Sequence, residues 1–179
     1  METVYQKILR ESQGKEFKKI EDSRKWFRET ALKVTTGQVT PSQIIKEKPS
    51  VSTLNRKSVW KLMLYNYSPK TKQKLPYYDT YPIVFPYKIE KDGFYGYNLH
   101  YLPPAIRAIL MDNIYGLNSS SEWFKACTKK YLFAYIRSSI AIIPQSEWDL
   151  ALFLPLQRFQ KKADATVWAD SINKIKGKR

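Results

Sequence analysis

Residues 58–102 read SVWKLMLYNYSPKTKQKLPYYDTYPIVFPYKIEKDGFYGYNLHYL, and this stretch decides the fold. Its aromatic residues, prolines and turn signal predict three β-strands. The first spans Val59–Tyr67. Side chains alternate faces along a strand, so Trp60, Leu62, Leu64 and Asn66 share one side. Val59, Lys61, Met63, Tyr65 and Tyr67 share the other, and both faces are apolar enough to be covered. The second strand spans about Thr80–Ile89. Pro82 and Pro86 lack the backbone N–H, which requires a sheet edge or a bulge. Lys91-Asp92-Gly93 is a hairpin turn into the third strand, Phe94–Leu102.

Outward from this centre the chain becomes helical. Toward the N-terminus, Phe17, Ile20, Phe27, Ala31 and Val34 mark one face of a helix over Lys15–Val34. Thr35–Lys57 is a connector in which Thr40 caps a short helical turn begun by Pro41. Toward the C-terminus, Pro103-Pro104 opens a helix, and Ser121-Glu122 opens another running to about Arg137 with Trp123, Cys127, Tyr131 and Ala134 on its buried side. Ser139–Pro144 has the β-branched density of a fourth strand. A short helix or turn begins at Ser146-Glu147-Trp148, and a last helix covers about Asp164–Lys176. The expected architecture is α+β: a small, SH3-like, antiparallel β-barrel or sheet flanked by N-terminal and C-terminal helices. Residues 1–57 form a helical arm and connector, and residues 58–179 form the barrel with its helices.

The chain of 179 residues carries a net charge of +15, and the excess is spread along it rather than held in a tail. Such a field favours polyanions, which here means nucleic acid or an acidic protein surface. A single cysteine, Cys127, excludes an intrachain disulfide, and one cysteine with one histidine leaves no zinc site. No apolar run reaches the roughly 18 residues of a membrane span. The opening residues lack the apolar core of a signal peptide, which points to a soluble protein made in the cytoplasm.

Catalytic patterns are missing. There is no P-loop, Rossmann glycine pattern, Cys-x-x-Cys pair or His-Glu-x-x-His. His100 reads as a packed, hydrogen-bonded residue, Cys127 as core, and Asp79 as a tie for backbone at a strand entry. No enzyme, cofactor, metal or small-molecule substrate is expected. Binding is what the residues suggest. Lys70, Lys72 and Lys74 alternate on a loop after Ser68-Pro69, and Arg24, Lys25 and Arg28 form a second basic patch on the first helix. These six are the candidate DNA contacts, since lysine and arginine position phosphates without reading bases. Solvent exposure alone is the other reading of each patch. Tyr65, Tyr67, Tyr77, Tyr78, Phe94 and Tyr95 are the candidate protein-interface residues, because exposed aromatics serve interfaces as well as base stacking.

Tyr65–Pro86 (YNYSPKTKQKLPYYDTYPIVFP) and Asp92–Asp112 (DGFYGYNLHYLPPAIRAILMD) resemble a family of small structural proteins of T-even-type tailed bacteriophages. SRKWFRE at 23–29, EWDLALFLPLQRFQKK at 147–162 and TVWADS at 166–171 extend the resemblance across most of residues 23–171. Its label is DNA end protector or a related minor virion protein. The resemblance implies a non-catalytic virion protein, assembled in the host cytoplasm, that contacts double-stranded DNA and other virion proteins. The packaged end or the head–tail channel is its place. The alternative is a baseplate or neck component that binds neighbouring subunits with no DNA role.

Overall fold

In the computed structural model the described residues are 40–112 and 122–177, with Lys25, Trp26 and Glu29. The helix expected over Lys15–Val34 lies mostly outside them, although those three residues are helical.

The elements follow the order α1 (Pro41–Glu47), β1 (Ser50–Val51), β2 (Met63–Leu64), β3 (Tyr78–Asp79), β4 (Ile83–Ile89), β5 (Gly93–Asn98), α2 (Pro104–Asp112), α3 (Glu122–Cys127), β6 (Thr128–Leu132), β7 (Ile140–Ile142), α4 (Trp148–Phe153), β8 (Phe159–Gln160) and α5 (Asp164–Ile175). Among the described residues the main sheet has six strands in the order β1-β7-β2-β4-β5-β6, all antiparallel. A separate two-stranded ribbon pairs β3 with β8.

The expected barrel is not closed. β1 and β6 end the strand order without pairing to each other, and the sheet buries both faces. Leu62, Leu64, Ile83, Phe85 and Tyr97 point to one core, which α1 and α3–α5 cover with Ile44, Phe124, Leu150 and Val167. Met63, Tyr65, Val84, Phe94, Tyr131 and Ile140 point to the other, under Leu54 and the turn Phe133–Tyr135. The alternation expected for residues 62–67 is therefore what separates the two cores. A barrel would wrap one core; helices on one side and loops on the other make closure unnecessary.

Local chemistry explains the element ends. Thr40 and Gln43 form a reciprocal capping box with Pro41 at the start of α1. β4 carries a register shift between Pro86 and Lys88, so the sheet accommodates proline in an inner strand by bulging. The regular part of the first predicted strand is short. Trp60 has a left-handed φ of 62°, and past Leu64 only a bridge from Tyr67 to Ile136 continues the pairing. Gly93 sits where β5 and β6 approach closely, and a Cβ there would collide with the Tyr131 carbonyl.

One element is corrected outright. The helix expected from Ser121 to Arg137 stops at Cys127, and Thr128–Leu132 is strand β6. Tyr131 decides this. Its ring stacks on Phe94 at 5.4 Å and meets Tyr67 and Tyr65 edge-on at 4.9 and 5.6 Å. Such ring pairs each add about 0.5–1.5 kcal/mol beyond burial, and they come with the backbone pairing to β5. Spacing by fours cannot compete with that.

Candidate nucleic-acid interface

The lysine loop is a clamped turn. Pro69 starts it and is buried, and the Pro69 and Thr71 carbonyls accept from the N–H groups of Lys72 and Lys74 at 3.3 and 2.9 Å. These tight turns leave Lys70, Lys72 and Lys74 exposed. Lys161 holds the turn from outside. Its Nζ donates to the carbonyls of Lys72, Gln73 and Leu75 at 2.7, 3.0 and 2.7 Å. Lys161 reaches them from just past β8 with a left-handed φ of 73°. Replacing it with Met should free three carbonyls and loosen residues 69–75. Hydrogen exchange should then speed up there, and unchanged protection would show that Lys161 does not hold the turn.

Beneath the turn lies a pocket of about 470 Å³. Tyr77, Tyr78 and Tyr101 supply rings, and Lys70, Lys129 and Lys174 supply charge. Lys129 comes from β6, whose pairing with β5 turns it toward the Tyr101 ring, 4.2 Å from its centroid. Burial pulls the Lys129 ammonium down to about 8, and the neighbouring Lys174 adds to that. Among the described residues, none of Lys70, Lys72, Lys74, Lys129 and Lys174 has a carboxylate within ion-pair distance. Lys130, by contrast, is held by Glu90 at 3.1 Å and Asp92 at 3.5 Å.

Behind the pocket wall sits a buried polar network. The His100 Nδ1–H donates to Asp79 Oδ2 at 2.6 Å. Asn98 Nδ2 also reaches that oxygen at 3.4 Å and donates to the Tyr131 hydroxyl at 3.0 Å. The other oxygen, Asp79 Oδ1, accepts from the N–H groups of Tyr81 and Arg158, both at 3.0 Å. Burial opposes the Asp79 carboxylate. His100 and the two backbone N–H groups outweigh it and hold the carboxyl below its usual range. Burial likewise keeps His100 neutral, its pKa lowered despite Asp79. His100 has no exposed surface, and its Nε2 has no hydrogen-bond partner among the described residues. The pair is a pillar that ties β3 to β8 and to the end of β5. Among the described residues no cluster of His, Cys, Asp or Glu could hold a metal ion, and no helix is long and apolar enough to cross a membrane.

The sequence-derived candidates divide. Lys70, Lys72 and Lys74 lie together on the turn, and Lys25 is exposed, while Arg24 and Arg28 lie outside the described residues. Tyr65, Tyr67 and Phe94 are buried in the second core, and Tyr67 also lines the pocket. Tyr77 is nearly as buried but lines the pocket, as does the half-buried Tyr78. Tyr95 is half-buried beside Lys88 and Lys130. Sequence reasoning missed Lys129 and Lys174 and the pairing of Asp79 with His100, although the backbone tie it gave Asp79 is made, to the N–H groups of Tyr81 and Arg158. Lys129 was hidden inside the predicted helix; strand pairing of residues 128–132 was the signal that could have found it.

A family model described as phage T4 terminal DNA protecting protein matches residues 2–128. The chain belongs to that family. The terminal DNA protecting match contains the lysine turn, Asp79 and His100, and ends where β6 begins. Lys129, Lys174 and the Lys161 clamp of this family member follow it. No curated protein and no solved structure matches the chain.

Proposed function

We propose that the protein is a non-catalytic virion component that holds the end of packaged double-stranded DNA and shields it. The clamped turn carries the reading. Three lysines project from it without carboxylate partners among the described residues, in a chain of a terminal DNA protecting family with net charge +15. Lys70, Lys72 and Lys74 position phosphates, and Arg24, Lys25 and Arg28 supply a second group of contacts. Exposed lysine gains affinity by releasing counterions, so binding tolerates any sequence and weakens steeply with salt.

Mobility shifts with linear and circular duplex at several salt concentrations test this, together with exonuclease digestion of the linear form. Salt-dependent binding that favours linear DNA and slows digestion is expected. Failure to bind at moderate salt overturns the reading and leaves an assembly component. The observation favouring that second reading is Trp60, 43% exposed on a left-handed backbone.

A further inference from the structure

We propose that the pocket beneath the lysine turn takes the terminal phosphate of a DNA strand, with the last nucleotide against its tyrosine rings. This rests on the DNA-end reading and names the group that is recognised.

Size is the first argument. About 470 Å³ falls within the range of roughly 300–1,000 Å³ for small-molecule sites. One nucleotide fits such a space and a duplex does not, so the nucleotide that enters must leave the stack, which costs least at an end. Charge is the second. Lys129 and Lys174 stand together at the pocket, and Lys70 lies at its mouth, all without carboxylate partners among the described residues. Lys129 is partly withdrawn from water and repelled by the exposed Lys174, and an anion between them offsets both costs. Asp79 also lines the wall, but its carboxylate is taken by His100, Asn98, Tyr81 and Arg158.

The anion's chemistry follows from the site. A phosphate monoester carries about −1.5 to −2 at neutral pH, more than the single charge of an internal diester. A site with several converging lysines therefore discriminates an end from the interior by charge as well as shape. The apolar ring walls of Tyr77, Tyr78 and Tyr101 suit the base, since every base has a face to stack. The exposed turn holds duplex phosphates anywhere along the molecule; the pocket adds preference for its terminus.

The test uses the full chain with short duplexes bearing a 5′-phosphate, a 3′-phosphate or only terminal hydroxyls, read by fluorescence anisotropy. Removing the preferred terminal phosphate should weaken binding by about tenfold or more. Lys129→Met should abolish that difference, read as the ratio of the affinities for phosphorylated and hydroxyl ends. If Lys129→Met unfolds, Lys174→Gln on the exposed side of α5 carries the same expectation. Equal binding of phosphorylated and hydroxyl ends overturns the pocket proposal but leaves the DNA-end reading standing. So does a folded variant that keeps the preference. Loss of all DNA binding in the unaltered chain overturns both.

Discussion

Replacing Asp79 with Ala should remove about 3–5 kcal/mol of folding stability, measured by chemical denaturation. The side chain is buried and accepts from His100, Asn98, Tyr81 and Arg158, the last 79 residues away in sequence. Removing it leaves donors unsatisfied in a site that water does not reach, which is costlier than the net worth of the bonds. Asparagine fares little better, because its amide places N–H groups where the site offers only donors. A domain of this size has about 5–15 kcal/mol in hand, so the loss takes a large share. A cost below about 1 kcal/mol would show that the network is not a pillar.

Acid attacks the same network. Asp79 and His100 both have folded pKa values below their ordinary ones, so the unfolded chain binds more protons in each window. Stability is complete above the ordinary histidine value of about 6.5 and falls as lower pH drives His100 to charge. It falls again below the ordinary aspartate value of about 3.9, as pH drops through the lower folded value of Asp79. The Ala variant should lack the second fall.

The alternation of Leu62 and Leu64 against Met63, Tyr65 and Tyr67 was legible because a period of two depends only on neighbours. The Thr40 cap, the last helix and an edge or bulge at the prolines of the second strand were legible from local sequence too, and the structure resolves that choice as a bulge at Pro86. What failed depends on residues far apart. Thr128–Leu132 has helical spacing on either side and becomes a strand because β5 and the rings around Tyr131 are available to it. Tyr65 and Phe94 read as contact residues because tyrosine and phenylalanine suit both surfaces and cores; only a sheet covered on both faces decides between them. His100 finds Asp79 across 21 residues, and Lys129 meets Lys174 through a sheet edge and the end of a helix. The lysine turn was visible, but its clamp was not, since Lys161 comes from beyond the two-stranded ribbon.

Changing Lys70, Lys72 and Lys74 together to Gln should lower DNA affinity roughly 10- to 100-fold near 0.1 M salt and flatten the slope of log K against log salt by roughly three. Each lysine replaces one condensed counterion, so the losses add where all three touch phosphate. The loss should be the same for every DNA sequence, because lysine on phosphate reads no base. Folding should be almost untouched, within about 0.5 kcal/mol, since the three side chains are exposed and make no ion pair among the described residues. The turn itself should persist, because Lys161 grips carbonyls and the substitutions leave the backbone alone. Titrations of both proteins over a range of salt, with denaturation curves beside them, separate lost contact from lost structure. An unchanged slope would move the phosphate contacts off this turn and onto the basic patch at Arg24, Lys25 and Arg28. A charge-reversed set at Glu should lose more than the Gln set at low salt and converge with it at high salt, which is how screened repulsion differs from a missing contact.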